Sequence, residues 1–232
     1  MLLNELTVTN YKFSDLVDVV EFSKILDSFY SATGIPNGLI AIDGEVISQS
    51  GWISACENFH KVSTESKKNC LKSNFKLIEN IRDGEITTSL CKNGLIDYAT
   101  PIIIKEQRIA TLFLGQVLTK SPNLKSFEKQ SNKFNFDKKT YLKAIKEVPI
   151  VSNDKIQSSI KCIVSIAQML AQNGLSKLEH FELEKNLLNS NKKVIHLSDI
   201  LDFSPNGIGW SNVKGEIEYL NHQFTKLFGY EK

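Results

Sequence analysis

The spacing of apolar residues divides the chain into helical and extended stretches before any other property is considered. Leu16, Val17, Val20, Ile25, Leu26 and Phe29 recur at helical intervals behind Ser14, which suits an N-cap, and Gly34 with Pro36 ends the run. Short extended runs follow, Leu39 to Ile42 and Val46 to Ser48, on either side of Asp43-Gly44. Asp-Gly in that setting predicts a hairpin in which both turn residues take positive φ. Next come two helical stretches, a short one from Ile53 to Val62 and a longer one from Thr64 to Ile81. The longer one gathers Cys70, Leu71, Asn74, Leu77, Ile78 and Ile81 on one side and stops at Gly84. Asn74 is the polar exception on that side.

Three more extended runs, Glu85 to Leu90, Leu95 to Ile104 and Arg108 to Leu118, turn at Asn93-Gly94 and at Lys105 to Gln107. A helix, a hairpin, two helices and three antiparallel strands pack most economically as an α+β fold. Its core is a five-stranded antiparallel sheet with helices covering one face. Beyond the sheet, Ser121-Pro122 opens a helix, Asp137 caps another that reaches Lys146, and Pro149 breaks the chain.

From Ser152 to Asn191 the apolar period is helical again. A helix of that length reaches roughly 55 Å, more than one small domain covers. Its second half, Lys177 to Lys193, carries a thin apolar seam among charges, as does a helix that pairs with its own copy. Gly174 is the expected weak point, a kink or a break into two helices. Further on, Gly207 to Trp210 and Gly215 to Leu220 repeat the theme of Gly38 to Ile40 and Gly44 to Ile47. A helix with Phe224, Leu227 and Phe228 then ends at Gly229-Tyr230. A segment of about thirty residues buries no core of its own, so this end reads as either the start of a truncated second domain, the favoured reading, or a tail that docks elsewhere.

Composition narrows the function without naming it. Of 232 residues, 41% are apolar and 23% charged, the balance of a soluble domain. A net charge of +2 with no basic face gives no reason to expect nucleic acid as a partner. No apolar run approaches the roughly eighteen residues of a membrane span, and Met1 to Asn10 lacks the order of a signal peptide. The expected compartment is the cytoplasm. Four cysteines are too sparse for a disulfide framework, so reduced thiols are expected.

The chemistry lies in polar and thiol side chains set inside apolar helices and strands: Trp52, Cys56, His60, Cys70, Cys91, Asp97 and Gln116. Cys56 and His60 are four apart and share a helix face. Neutral His60 either donates or accepts, Trp52 offers a wall with an N–H, and Asp97 and Gln116 offer groups that read hydroxyls. These seven form a candidate binding site for a small organic molecule. The less favoured alternative takes three thiols and an imidazole (Cys56, His60, Cys70, Cys91) as a Cys₃His metal site or an iron–sulfur centre, although no CxxC spacing supports either and no metal or cofactor is assigned. A third reading makes the thiols plain core of an interaction and dimerisation module, and Cys70 is its best case. Turn geometry alone accounts for Asn93-Gly94. Cys162, His180, His196 and His222 stand outside any constellation. No phosphate loop, nucleophile elbow or HExxH pair occurs, so no catalytic residue is expected and the chain reads as a non-enzyme.

Taken in series, Trp52-x-x-x-Cys56-x-x-Phe59-His60, Cys70, Cys91-Lys92-Asn93-Gly94-Leu95-x-Asp97, Gly115-Gln116, Phe136-Asp137, Tyr141 and Val148-Pro149 resemble the PocR sensory domain, over about Leu16 to Gly174. Lys61, Asn74 and Asn135 depart from the family's usual Arg, Asp and Gly. Phe203 to Ile208, Gly215 to Ile217, Tyr219 to Asn221 and Leu227 to Tyr230 resemble the opening of a PAS domain. The resemblance implies a PAS-like variant fold that senses small hydrocarbon derivatives such as short alcohols and diols. It also implies a place upstream of kinase, cyclase-type or DNA-binding output modules, as in two-component and transcription regulators. The expected organisation is a sensory domain over 1–174, a helical linker over 175–197, a possible coiled coil joining a homodimer, and a PAS fragment over 198–232.

Overall fold

A computed structural model describes residues 11–79, 81 and 84–229. Five strands, β1 (Asn37–Ile40), β2 (Val46–Ser50), β3 (Thr87–Leu90), β4 (Ile96–Ile104) and β5 (Gln107–Val117), form one antiparallel sheet in the order β2-β1-β5-β4-β3. This is the expected five-stranded α+β sheet with flanking helices. The helices, however, cover both faces. On one, α2 (Val19–Thr33) and the start of α6 (Asn153–Asp202) bury Phe22, Leu26, Ile156, Ile160 and Ile163 against Leu39, Tyr98, Leu112 and Leu114. On the other, α3 (Thr64–Glu79) sets Leu77 against Ala99 and Phe113. Central strands β4 and β5 are buried almost residue by residue, which a sheet open on one face does not permit.

The local chemistry corrects several sequence-based boundaries. Ser14 caps nothing: it lies inside a single-turn helix, α1 (Phe13–Leu16). Val17 is extended, and Asp18 caps α2 by accepting the N–H groups of Val20 and Glu21. Pro122 likewise precedes α4 (Leu124–Phe134) instead of opening it. Asp137 does cap α5 (Lys138–Lys146), through Thr140 N–H. At both Asp43-Gly44 and Asn93-Gly94 only the glycine takes positive φ, +91° and +94°. In each, the glycine N–H bonds back three residues, to Ala41 and Cys91, as in a type I turn closed by a glycine bulge. The tight turn with two positive φ values is Lys105-Glu106, where no glycine advertises it. Asn80, Arg82 and Asp83, between α3 and Gly84, lie outside the described residues.

The chain forms two compact units, 1–175 and 176–232. In the first, α6 continues through Gly174 without a break, and that glycine faces the backbone of Leu16. In the second, β6 (Gly209–Ser211) and β7 (Ile217–Leu220) form a hairpin followed by α7 (His222–Phe228). Asn221 organises this unit, donating to Leu201 and Asn206 carbonyls and accepting from Ile208 and Phe224 N–H. No apolar side chain described beyond Leu175 is buried. Tyr230, the last residue of the PAS-like motif, lies outside the described residues. Among the described residues no helix is long and apolar enough to cross a membrane.

Candidate ligand-binding site

Between α3 and the sheet lies a cavity of about 290 Å³. Trp52, Cys56, His60, Cys70, Cys91, Asp97 and Gln116 all line it. Apolar walls come from Ile40 and Val46 on the hairpin, Phe113 on β5, and Leu71, Phe75 and Ile78 on α3. Leu71 and Phe75 are 59% and 65% exposed, so they form the mouth. Asn74, the polar exception of the helical pattern, stands with them.

The Ile53 to Val62 stretch is not an ordinary helix. Ala55–His60 is a π-turn, with Lys61 N–H bonded to the carbonyl of Cys56. Cys56 and His60 still meet, Sγ to Nδ1 at 3.8 Å. On its other side His60 Nε2 lies 2.8 Å from the Tyr141 hydroxyl and 3.4 Å from Gln130 Nε2. Burial drives His60 down to about 4, so the ring is neutral at ordinary pH. Tyr141 and Gln130 come from α5 and α4 and were not among the predicted site residues. Tyr141 stands in the motif series without a site role, and its place comes from long-range packing, buried against Phe59 and Phe136.

Asp97 and Gln116 meet across strands β4 and β5. The Asp97 carboxylate accepts Gln116 N–H at 2.8 Å, and Gln116 Oε1 accepts Ile53 N–H at 2.9 Å. Burial raises Asp97 to about 6, partly offset by that backbone hydrogen bond. Trp52 Nε1 donates to the Asn37 carbonyl at 3.1 Å, fixing the indole plane, and Lys61 Nζ stands 3.5 Å from the ring centroid.

The thiols are not activated. Burial pushes Cys91 up to about 12, and Cys56 and Cys70 upward as well. Leu95 N–H points at Cys91 Sγ, and Asn93 Nδ2 at Cys70 Sγ. Asn93 is fully buried outside the cavity lining, where it ties the turn to Ser66 and Asn69 of α3. Among the described residues no three of His, Cys, Asp and Glu are grouped to hold a metal. Cys162, His180, His196 and His222 are exposed, away from the cavity lining.

A family model described as the sensory domain found in PocR matches residues 15–175. No curated protein and no solved structure gives a significant match.

Proposed function

The chain belongs to the family of sensory domains found in PocR, and from that premise we propose that the cavity beneath α3 receives a small, lightly polar organic molecule such as a short alcohol or diol. The carrying observation is the convergence of Trp52, Cys56, His60, Cys70, Cys91, Asp97 and Gln116 on one cavity. Its 290 Å³ lies at the small end of ligand pockets, which suits a few heavy atoms rather than a nucleotide. A few polar groups in an apolar wall orient such a guest. Thiols raised by burial, with a neutral imidazole already bonded to Tyr141, favour binding over nucleophilic catalysis.

Occupancy has a short route to α6. Gln116 lines the cavity two residues before Leu118, whose backbone bonds to Pro149 and Val151 just ahead of that helix. Tyr98, beside Asp97 but facing the α6 core, bonds Asn153 at the first residue of α6. Further along, Leu183, Leu187, Val194 and Leu197 are exposed at heptad spacing, as a homodimeric connector requires. We assign 175–197 to that connector and 198–232 to the start of a PAS domain leading to an output module, in a cytoplasmic signalling protein. A ligand shifts such a helix only by binding its two packings unequally. Calorimetry of the chain with short alcohols and diols tests the reading; saturable 1:1 binding that vanishes on filling the cavity with Cys70→Phe, at a lining position, supports it. Absence of heat across the series refutes it.

A further inference from the structure

The cavity holds two opposite charges that are not paired with each other. Lys61 is half-buried, lines the cavity and rests on the Trp52 face, and it joins no carboxylate among the described residues. Asp97 lines it too, with one oxygen on Gln116 N–H and the other without a hydrogen bond among the described residues. Cys56 and Cys70 feel both groups: the Asp97 charge raises their thiols and the Lys61 charge lowers them. The site therefore has a cationic pole and an acceptor pole in a lining that also includes thiols and the apolar Phe75, Ile78 and Phe113.

We infer that the preferred occupant is a short hydroxy acid, its carboxylate on Lys61 and its hydroxyl donating to Asp97. This deepens the proposed small-molecule reading and rests on it. An ammonium taken partly out of water has lost hydration that an indole face replaces only in part. A carboxylate supplies the rest through a charge-assisted hydrogen bond, stronger in a cavity than in bulk water. A diol of equal length offers only a neutral oxygen at that pole, and Glu57, whose charge Lys61 also feels, lies outside the cavity lining. The far hydroxyl suits Asp97 because a carboxylate accepts and a hydroxyl donates. Short carboxylic acids are ionised at neutral pH, so the charge is available.

Titration calorimetry of the full chain with butane-1,4-diol, butanoate and 4-hydroxybutanoate at low salt tests this. 4-Hydroxybutanoate is expected to bind at least about tenfold more tightly than the diol, with butanoate between them. Lys61→Met should erase the preference for the acid over the diol, and Lys61→Arg should keep it. Equal or reversed affinities for acid and diol, or a preference that survives Lys61→Met, overturn the inference while the small-molecule site stands. No binding by any of the three overturns both.

Discussion

The Asp97 carboxylate accepts the backbone N–H of Gln116, a non-glycine residue held at φ +58°. Gly115 is required beside it, since an added Cβ would lie 2.9 Å from the Asp97 Cα. Asp97 thus clamps a bulge in β5 as well as facing the cavity. Asp97→Ala should leave a buried N–H unsatisfied and cost about 2 kcal/mol in denaturant unfolding near pH 4, where the burial penalty of the carboxyl is relaxed. Asp97→Asn keeps an acceptor oxygen and should lose less than half as much. Equal losses would show that the carboxylate has no clamping role.

Acid should act on two buried groups in opposite directions. His60 is depressed to about 4, so its contribution is complete above its ordinary value near 6.5 and disappears as pH falls toward 4. Asp97 is raised to about 6, so its burial penalty is full above 6 and relaxes as pH falls toward 4. Each displacement is worth ~3 kcal/mol, and between pH 6 and 4 they largely offset. Asp97→Asn removes one arm, so its stability should fall more steeply with acid than that of the wild type. His60→Gln should change the slope the other way. Urea melts at several pH values measure this, and parallel curves for all three proteins would contradict it.

Much of the sheet was legible because its turns carry glycine and its strands carry continuous apolar runs. The cavity residues were legible for a different reason: polar groups stand out where the period demands apolar ones, as at His60, Asp97 and Asn74. What escaped was whatever depends on distant packing. Tyr141 and Gln130 reach His60 from helices that carry no local mark of it. The π-turn at Ala55–His60 has no sequence signature distinct from an α-helix. Nothing in the sequence marks Lys61 as resting on the Trp52 ring. Cover on both sheet faces is implied by the mostly apolar runs of β4 and β5.

Thiol reactivity should separate the four cysteines. Cys162 is exposed on α6, whereas Cys56 and Cys91 are buried and held as thiols by burial. Iodoacetamide at pH 8 should label Cys162 first, Cys70 more slowly and the other two least, by roughly an order of magnitude or more. A saturating cavity ligand should slow Cys70 and leave Cys162 unchanged. Mass spectrometry of a labelling time course reads this, and rapid labelling of Cys56 would mean that its thiolate is favoured after all.

Gly174 offers the sharpest conflict between propensity and packing. In an exposed helix interior, glycine to alanine gains about 1 kcal/mol, which is why this position reads as a weak point in the sequence. Here the helix is continuous, and a Cβ would lie 2.7 Å from the Leu16 carbonyl carbon and 3.0 Å from its Cα, with the carbonyl oxygen nearer still. Those atoms are backbone and have no rotamer to escape into. Leu16 is itself buried with Phe13 in the main core, so moving α1 away exposes apolar surface. Gly174→Ala should therefore destabilise the first unit by about 2–4 kcal/mol in denaturant unfolding, despite the better helix former. Gly174→Ala with Leu16→Gly should not recover it, because the obstructing atoms belong to the main chain. A more stable Gly174→Ala protein would mean that α1 does not rest on α6 as described.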